Sequence, residues 1–368
     1  MQTTPILMND FRRIPEEMCA DLEAAAGKVI GSGWYVLGDE VNAFEKTWAA
    51  YCGVKHAIGV ANGLDAIEIG LRALGIGPGD EVITTPMTAF ASILGIMRAG
   101  ATPVLADIDP MSGLLDPASV ERCIGPRTRA VLLVHLYGQI RAMIAWEQLC
   151  ARHNLLLLED AAQAHGAEWH GRRAGAFGRW AAYSFYPTKN LGCIGDGGAL
   201  CTNDGALAGL TAQCRNYGQS DRYHHPIMGL NSRLDEIQAA FLQAMLKQLP
   251  AATDRRRRTA VCYHANLRSD RVMLLAPPET ALSHVYHLFV VRTEERTALQ
   301  SHLAGRKVQS LIHYPVCAHH QPPTAGLRRD PCGLAAAERF ASQCLSIPCH
   351  PYLTDSEVET VIDAINSF

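Results

Sequence analysis

A chain of 368 residues exceeds the size at which one hydrophobic core keeps growing, so two domains sharing an extensive core are expected. Charged residues make up 19% and hydrophobic ones 48%, and a formal net charge of −3 supplies no electrostatic pull toward nucleic acid or a membrane surface. No run approaches the roughly 18 apolar residues of a membrane-spanning helix, and Met1 to Arg13 lacks a signal-peptide core, so the cytosol is the expected compartment.

From Lys55 to Asp204, short apolar runs alternate with helical ones. The predicted strands are His56 to Val60, Glu81 to Thr85, Thr102 to Ala106, Ala130 to His135, Leu155 to Glu159, Ala181 to Phe185 and Ala199 to Thr202. Leu64 to Leu74 and Met143 to His153 are predicted helices between them. This α/β alternation predicts a mostly parallel seven-stranded sheet flanked by helices, with ligands bound beyond the carboxyl ends of its strands. Asn62-Gly63, Phe90, His135, Asp160 and Ser184 all fall at or just after such ends.

After Asn231 the pattern changes. Ser232 with Asp235 reads as a capping box, and Leu234, Ile237, Phe241 and Met245 follow at helical spacing. That helix is expected to lead from a large domain, residues 1–245, into a smaller α+β domain, residues 246–368, on which the N-terminal segment packs. Strands are predicted at His287 to Val291 and Val308 to His313. The basic run Arg255 to Arg258 follows the helix and reads as a solvated face.

The 12 cysteines form no Cys-x-x-Cys pair and read as buried hydrophobes or free thiols. His224-His225 and His319-His320 are adjacent pairs, and neighbours in sequence do not share a helix face, so no metal site is expected.

Lys189 carries the chemistry. It follows the strand Ala181 to Phe185 and precedes Gly192-Cys193-Ile194-Gly195-Asp196-Gly197-Gly198. Upstream, the buried strand of leucines ends on Glu159-Asp160, followed by Gln163 and His165. A lysine able to form a Schiff base, with a carboxylate aimed at a pyridinium nitrogen, is the minimal set for pyridoxal phosphate chemistry. Gln163 suits the ring's phenolic oxygen. Asn62-Gly63-Leu64 joins a strand directly to a helix, where free N–H groups and the positive dipole end attract a phosphate, and Ser184 can add a hydroxyl. The ring of Phe90 is a candidate to stack on the pyridine.

Taken together these segments resemble the DegT-type sugar-nucleotide aminotransferases, which are fold type I pyridoxal phosphate enzymes. The resemblance runs through Gly33 to Gly38, Asn62 to Ala66, His135 to Gln139, Glu159 to Gly166, Ser184 to Gly192, Gly195 to Gly198, Arg215 to Gly218, Gly229 to Glu236 and His313 to Pro315. It implies that Lys189 holds the cofactor covalently, that Asp160 pairs with the pyridine nitrogen and that Gln163 binds the ring oxygen. Gly63, Leu64 and Ser184 match phosphate-binding positions. Asn231 matches an asparagine that reaches the cofactor phosphate of a neighbouring subunit, implying a homodimer with shared active sites. Trp34, Tyr35, Tyr186, Arg233, His313 and Tyr314 match the rim where substrate binds. Many members carry Ser-Gly-Thr where this chain has Asn62-Gly63-Leu64, so one phosphate hydroxyl is lost here.

The implied activity is amino transfer, with L-glutamate as expected donor, to the keto carbon, expected at C3, of a dTDP-linked keto-6-deoxyhexose. Amination at C4, of a UDP sugar or of a cyclitol ketone is the alternative. A sugar dehydratase of this fold is disfavoured because the resembling dehydratases replace the lysine with histidine. A transcriptional sensor would need a DNA-reading module or a basic surface, and the sequence offers neither.

Overall fold

Seven runs rich in Val, Ile, Leu and Ala pair into one sheet in the computed structural model, which describes residues 4–368. In chain order they begin with β1 (His56–Val60), β2 (Glu81–Thr84), β3 (Thr102–Leu105), β4 (Thr128–Val134) and β5 (Leu156–Asp160). A short ribbon, β6 (Glu168–Trp169) with β7 (Arg172–Arg173), intervenes before β8 (Ala181–Ser184) and β9 (Gly198–Thr202) complete the sheet. The order across it is β1-β9-β8-β5-β4-β2-β3, and only β9 runs against the others. The expected mostly parallel sheet is present.

Helices α1 (Glu16–Ser32) and α2 (Asp39–Cys52) precede the sheet. Its parallel crossovers run through α3 (Gly63–Ala73), α4 (Phe90–Arg98), α5 (Pro117–Cys123) and α6 (Met143–Arg152), with α7 (Gly205–Cys214) and α8 (Glu236–Leu246) following. Successive strand residues face opposite sides. Val131 and Leu133 of β4 therefore join Phe44, Trp48 and Trp146 in one core, while Ala130 and Leu132 join Ile67, Ile69 and Trp180 in another. Each large side chain buried this way contributes roughly 1.5–3 kcal/mol, so a one-residue slip of β4 would be costly on both faces. Register is fixed. That rigidity holds the strand ends where a site can form.

Beyond α8, helix α9 (Leu249–Asn266) leads to an antiparallel sheet of β10 (Met273–Leu274), β11 (Phe289–Arg292) and β12 (Cys344–Ile347). Helices α10 (Arg296–Gly305), α11 (Ala335–Gln343) and α12 (Asp355–Asn366) accompany it. Its core draws Ala260 and Tyr263 from α9, Val361 and Ile365 from α12, and Ile6 from the N-terminal segment. We propose a domain boundary at residues 245–246, the end of α8.

Three local expectations fail. Ser232 forms no capping box; its hydroxyl accepts the N–H of Ala61 at 3.1 Å, and α8 starts one residue after Asp235 without a side-chain cap. Val308 to His313 makes isolated bridges, Val308 to Ile6 and Leu311 to Ser346, and is not a continuous strand, because the chain then turns toward the large domain. The run Arg255 to Arg258 lies inside α9, not after a helix, and its helical period turns Arg256 inward. Arg256 is 5% exposed and donates to the carbonyls of Tyr286, His287 and Cys349 at 3.3, 3.4 and 2.9 Å. All 12 cysteines are free thiols, and no helix among the described residues is long and apolar enough to cross a membrane.

Candidate active site

The carboxyl ends of β1, β2, β4, β5 and β8 open onto one cavity of about 560 Å³. Asn62, Gly63 and Leu64 enter it after β1, Thr88 and Ser92 after β2, and His135 after β4. Asp160 ends β5, Ser184 ends β8, and Tyr186 and Lys189 follow in the next loop. His287, His313 and Tyr314 approach from the small domain.

Lys189 is partly buried, and its accessible face lines this cavity. Burial lowers its amine pKa to about 8, opposed by the negative charge of Asp160. The amine is still mostly protonated at pH 7, but its neutral fraction is far larger than that of an ordinary lysine, as a nucleophile or general base requires.

Asp160 is buried. One carboxylate oxygen accepts the hydroxyl of Ser92 at 2.7 Å and the other accepts the N–H of Ala162 at 3.1 Å. Gln163 is held by chemistry that fixes its amide orientation. The N–H of Tyr137 donates to its Oε1 at 2.6 Å, so Nε2 must face the other way, 3.2 Å from the Tyr314 hydroxyl. Burial pushes the Tyr314 phenol up to about 12. It stays protonated.

The neighbouring residue of β5 points away from the cavity. Glu159 is fully buried and accepts the N–H groups of Gly175, Phe177 and Gly178 at 2.8, 2.8 and 2.6 Å, with Nε2 of His135 at 2.8 Å. Burial alone would raise its pKa, but the His135 contact and those backbone donors together bring it below the ordinary value. This cluster braces β5 just behind Asp160.

The opposite end of the cavity is a helix N-terminus. The Asn62 side chain caps the N–H of Asp65 at 2.9 Å, and the Asn62 carbonyl takes that of Ala66 at 3.2 Å. The first-turn N–H groups of Gly63 and Leu64 have no helical partner, and both residues line the cavity. A Cβ on Gly63 would lie 2.9 Å from that of Ser184, so only glycine lets helix and strand end approach this closely. His313 hydrogen-bonds Ser346 at 2.9 Å, and burial followed by the nearby Lys189 charge lowers its pKa to about 4. Burial, then Lys189, also lowers that of His287 well below the ordinary value. Both imidazoles are neutral at pH 7.

The cavity thus gathers Gly63, Leu64, Asp160, Gln163, Ser184, Tyr186, Lys189, His313 and Tyr314. Phe90 is not among its lining residues, although Ala89 and Ala91 on either side of it are. It begins α4 instead of ending a strand, and it packs with Ile93, Leu105, Ala318 and Leu334. Thr88, Ala89 and Ser92 occupy that wall. Trp34, Tyr35, Asn231 and Arg233 also lie outside this chain's cavity. Trp34 and Tyr35 are exposed, Asn231 bridges Asn216 on the surface, and the Arg233 guanidinium hydrogen-bonds Asn216 and lies over the Tyr217 ring. Sequence reasoning missed Thr88, Ser92 and His287. The i, i+4 spacing of the two hydroxyls just after a strand was the available signal for the first two.

Adjacency did not keep His319 and His320 apart. Both sit in a 3-10 turn, with Nε2 atoms 2.9 and 3.6 Å from Oε1 of Glu338. The buried Nδ1 of His319 has no partner to orient the ring as a ligand, so the contact is explained as an ion pair or hydrogen bond.

The model of the DegT/DnrJ/EryC1/StrS aminotransferase family matches residues 17–366. The chain belongs to this family. It is 46% identical over 367 residues to the dTDP-3-amino-3,4,6-trideoxy-alpha-D-glucose transaminase of Streptomyces venezuelae, covering 100% of this chain and 97% of that protein. It is 44% identical over 351 residues to the erythromycin biosynthesis sensory transduction protein EryC1 of Saccharopolyspora erythraea, covering 95% and 96%. The crystal structure of S. venezuelae DesV in complex with a ketimine intermediate superposes with a TM-score of 0.95 at 46% identity, covering 99% of this chain and 98% of that one. The chain is a pyridoxal-phosphate-dependent sugar aminotransferase of fold type I. Its residues fit that cofactor. They provide an amine of lowered pKa, two unclaimed helix N–H groups facing a hydroxyl, and a carboxylate and an oriented amide between them.

Proposed function

We propose that the enzyme transfers an amino group from L-glutamate to the C3 keto carbon of a dTDP-linked keto-6-deoxyhexose. The observation that carries this reading is the single cavity shared by Lys189, Asp160 and Gln163, in a chain nearly half identical to a dTDP-3-amino-sugar transaminase. When bound, pyridoxal phosphate supplies a carbonyl that takes up the amino group and a ring that accepts an electron pair. The N–H groups of Gly63 and Leu64 and the hydroxyl of Ser184 would hold its phosphate. Asp160 would pair with the pyridine nitrogen, and Nε2 of Gln163 would donate to the ring oxygen. Nζ of Lys189 removes the proton from the donor's α-carbon, and later returns one to the sugar carbon that receives the amine.

The same reading makes the enzyme a homodimer. Trp34, Tyr35, Val36, Tyr217, Tyr223 and Met228 are exposed large side chains on the segments that flank Asn231 and Arg233. Exposed apolar surface of this kind favours a partner. A second copy would bring Asn231 to the phosphate and Arg233 to the substrate rim.

The test is direct. Enzyme supplied with L-glutamate and a dTDP-3-keto-6-deoxyhexose should release 2-oxoglutarate and a dTDP-3-amino sugar, followed by mass spectrometry. Faster turnover of the 4-keto isomer, or of a UDP-linked ketone, would overturn the C3 or dTDP assignment. A pure sensor would release no 2-oxoglutarate.

A further inference from the structure

Two hydroxyls that play no part in the reading above lead to Asp160 in series. Ser92 Oγ lies 2.7 Å from Asp160 Oδ2, and Thr88 Oγ1 lies 2.9 Å from Ser92 Oγ. Thr88 and Ser92 are both buried, 6% and 1% exposed. An ionised carboxylate only accepts, so Ser92 must donate its one hydrogen to Asp160. Ser92 then has only lone pairs to offer, and Thr88 must be the donor to it. The direction of the chain is set by the charge at its end.

We propose that Thr88 and Ser92 form a positioning relay that aims the Asp160 carboxylate at the pyridine nitrogen. This rests on the assignment of Asp160 as the partner of that nitrogen. The relay starts from fixed points. The N–H of Met87 donates to Thr85 Oγ1 at 3.0 Å, and the carbonyl of Pro86 accepts the N–H of Ala318 at 2.8 Å, tying the β2–α4 turn on both sides. Ser92 itself sits in the first turn of α4, so its Oγ has little room to move. Ala162 N–H meets the other oxygen, so each carboxylate oxygen has a protein donor and the group cannot rotate without breaking one.

The consequence is geometric. A charge-assisted O–H···O⁻ bond is short and directional, so it fixes where the remaining lone pairs of the carboxylate point.

The experiment measures cofactor affinity and the visible absorption band of the bound cofactor, apart from turnover. Ser92→Ala should raise the pyridoxal phosphate Kd on the order of 10-fold and shift the band, and Ser92→Thr should restore both. Asp160→Asn should weaken binding further. In the Asp160→Asn background, Ser92→Ala should add nothing, because the charge it serves is gone. Wild-type affinity and band in Ser92→Ala, beside a weakened Asp160→Asn, would overturn the relay while leaving Asp160 in its role. Additive losses in the double variant would also overturn it, since plain packing would predict them. Unchanged affinity in Asp160→Asn would instead remove the assignment on which the relay depends. Melting temperatures of the apo forms check that each variant folds.

Discussion

At the floor of the cavity, Asp160, Gln163 and Glu159 have their acceptor oxygens matched to named donors, and burial holds the His287, His313 and Tyr314 rings neutral. On the outer face around Asn231 the terms reverse. Trp34, Tyr35, Tyr217, Tyr223 and Met228 stand exposed, the last two at 78% and 84%. The floor is finished within one chain, whereas the outer face is the surface that the proposed second copy would cover. Catalytic geometry has to be fixed to fractions of an ångström before substrate arrives, which the buried network secures. Recognition of a large, charged substrate can be divided between two surfaces.

The largest effect should come from breaking the floor at its reactive atom. Lys189→Ala should lower release of 2-oxoglutarate on the order of 10³-fold or more, with the fold intact by circular dichroism. Retained turnover would move the chemistry to another group. Behind the floor, Glu159→Ala strands three backbone N–H groups and His135 in a fully buried place, at a cost of about 3–5 kcal/mol, read as a lower midpoint in urea. Because the folded pKa of Glu159 is depressed, its contribution is present above the unfolded value near about 4.3 and is lost as pH falls toward the folded one. A variant as stable as wild type at pH 7 would show that the bracing of β5 lies elsewhere.

The outer face is tested by complementation. Asn231→Ala and Lys189→Ala should each be poor enzymes as pure proteins. Subunits mixed one to one and allowed to exchange should recover about a quarter of wild-type activity, since half the dimers are mixed and each holds one intact site. No recovery, with exchange verified by a tag, would mean that Asn231 serves its own chain.

The same contrast explains what the sequence made legible. Gly63, Asp160, Ser184 and Lys189 lie at strand ends or in the loops that follow them, and a buried strand is bounded sharply by its apolar run, so their convergence could be read locally. Phe90 was placed at a strand end, whereas it begins α4; Thr88, Ala89 and Ser92 line the cavity beside it. Arg256 was hidden inside a basic run because composition does not show helical phase. Strand β12 pairs Ile347 with Phe289, a contact across more than fifty residues that no local pattern announces. His287 enters the cavity by the same long-range packing.

The smallest effect predicted concerns the price of keeping an amine at the floor before any cofactor is bound. Burial lowers the Lys189 pKa to about 8, against about 10.4 for an unfolded lysine. Between those values the unfolded chain binds more protons than the folded one, so apoprotein stability rises with pH across that window. Below about 8 the cost is present in full, about 3 kcal/mol before solvent screening reduces it. Lys189→Met should therefore make the apoprotein more stable than wild type at pH 7, and the gap should close as pH approaches about 10.4. The same titration predicts that uptake of pyridoxal phosphate by wild-type apoprotein accelerates with pH around a midpoint near 8. A gap independent of pH would mean that methionine stabilises by packing alone. No gap at all would mean that the floor accommodates the charged amine freely, and that its reactivity must come from the bound cofactor and not from burial.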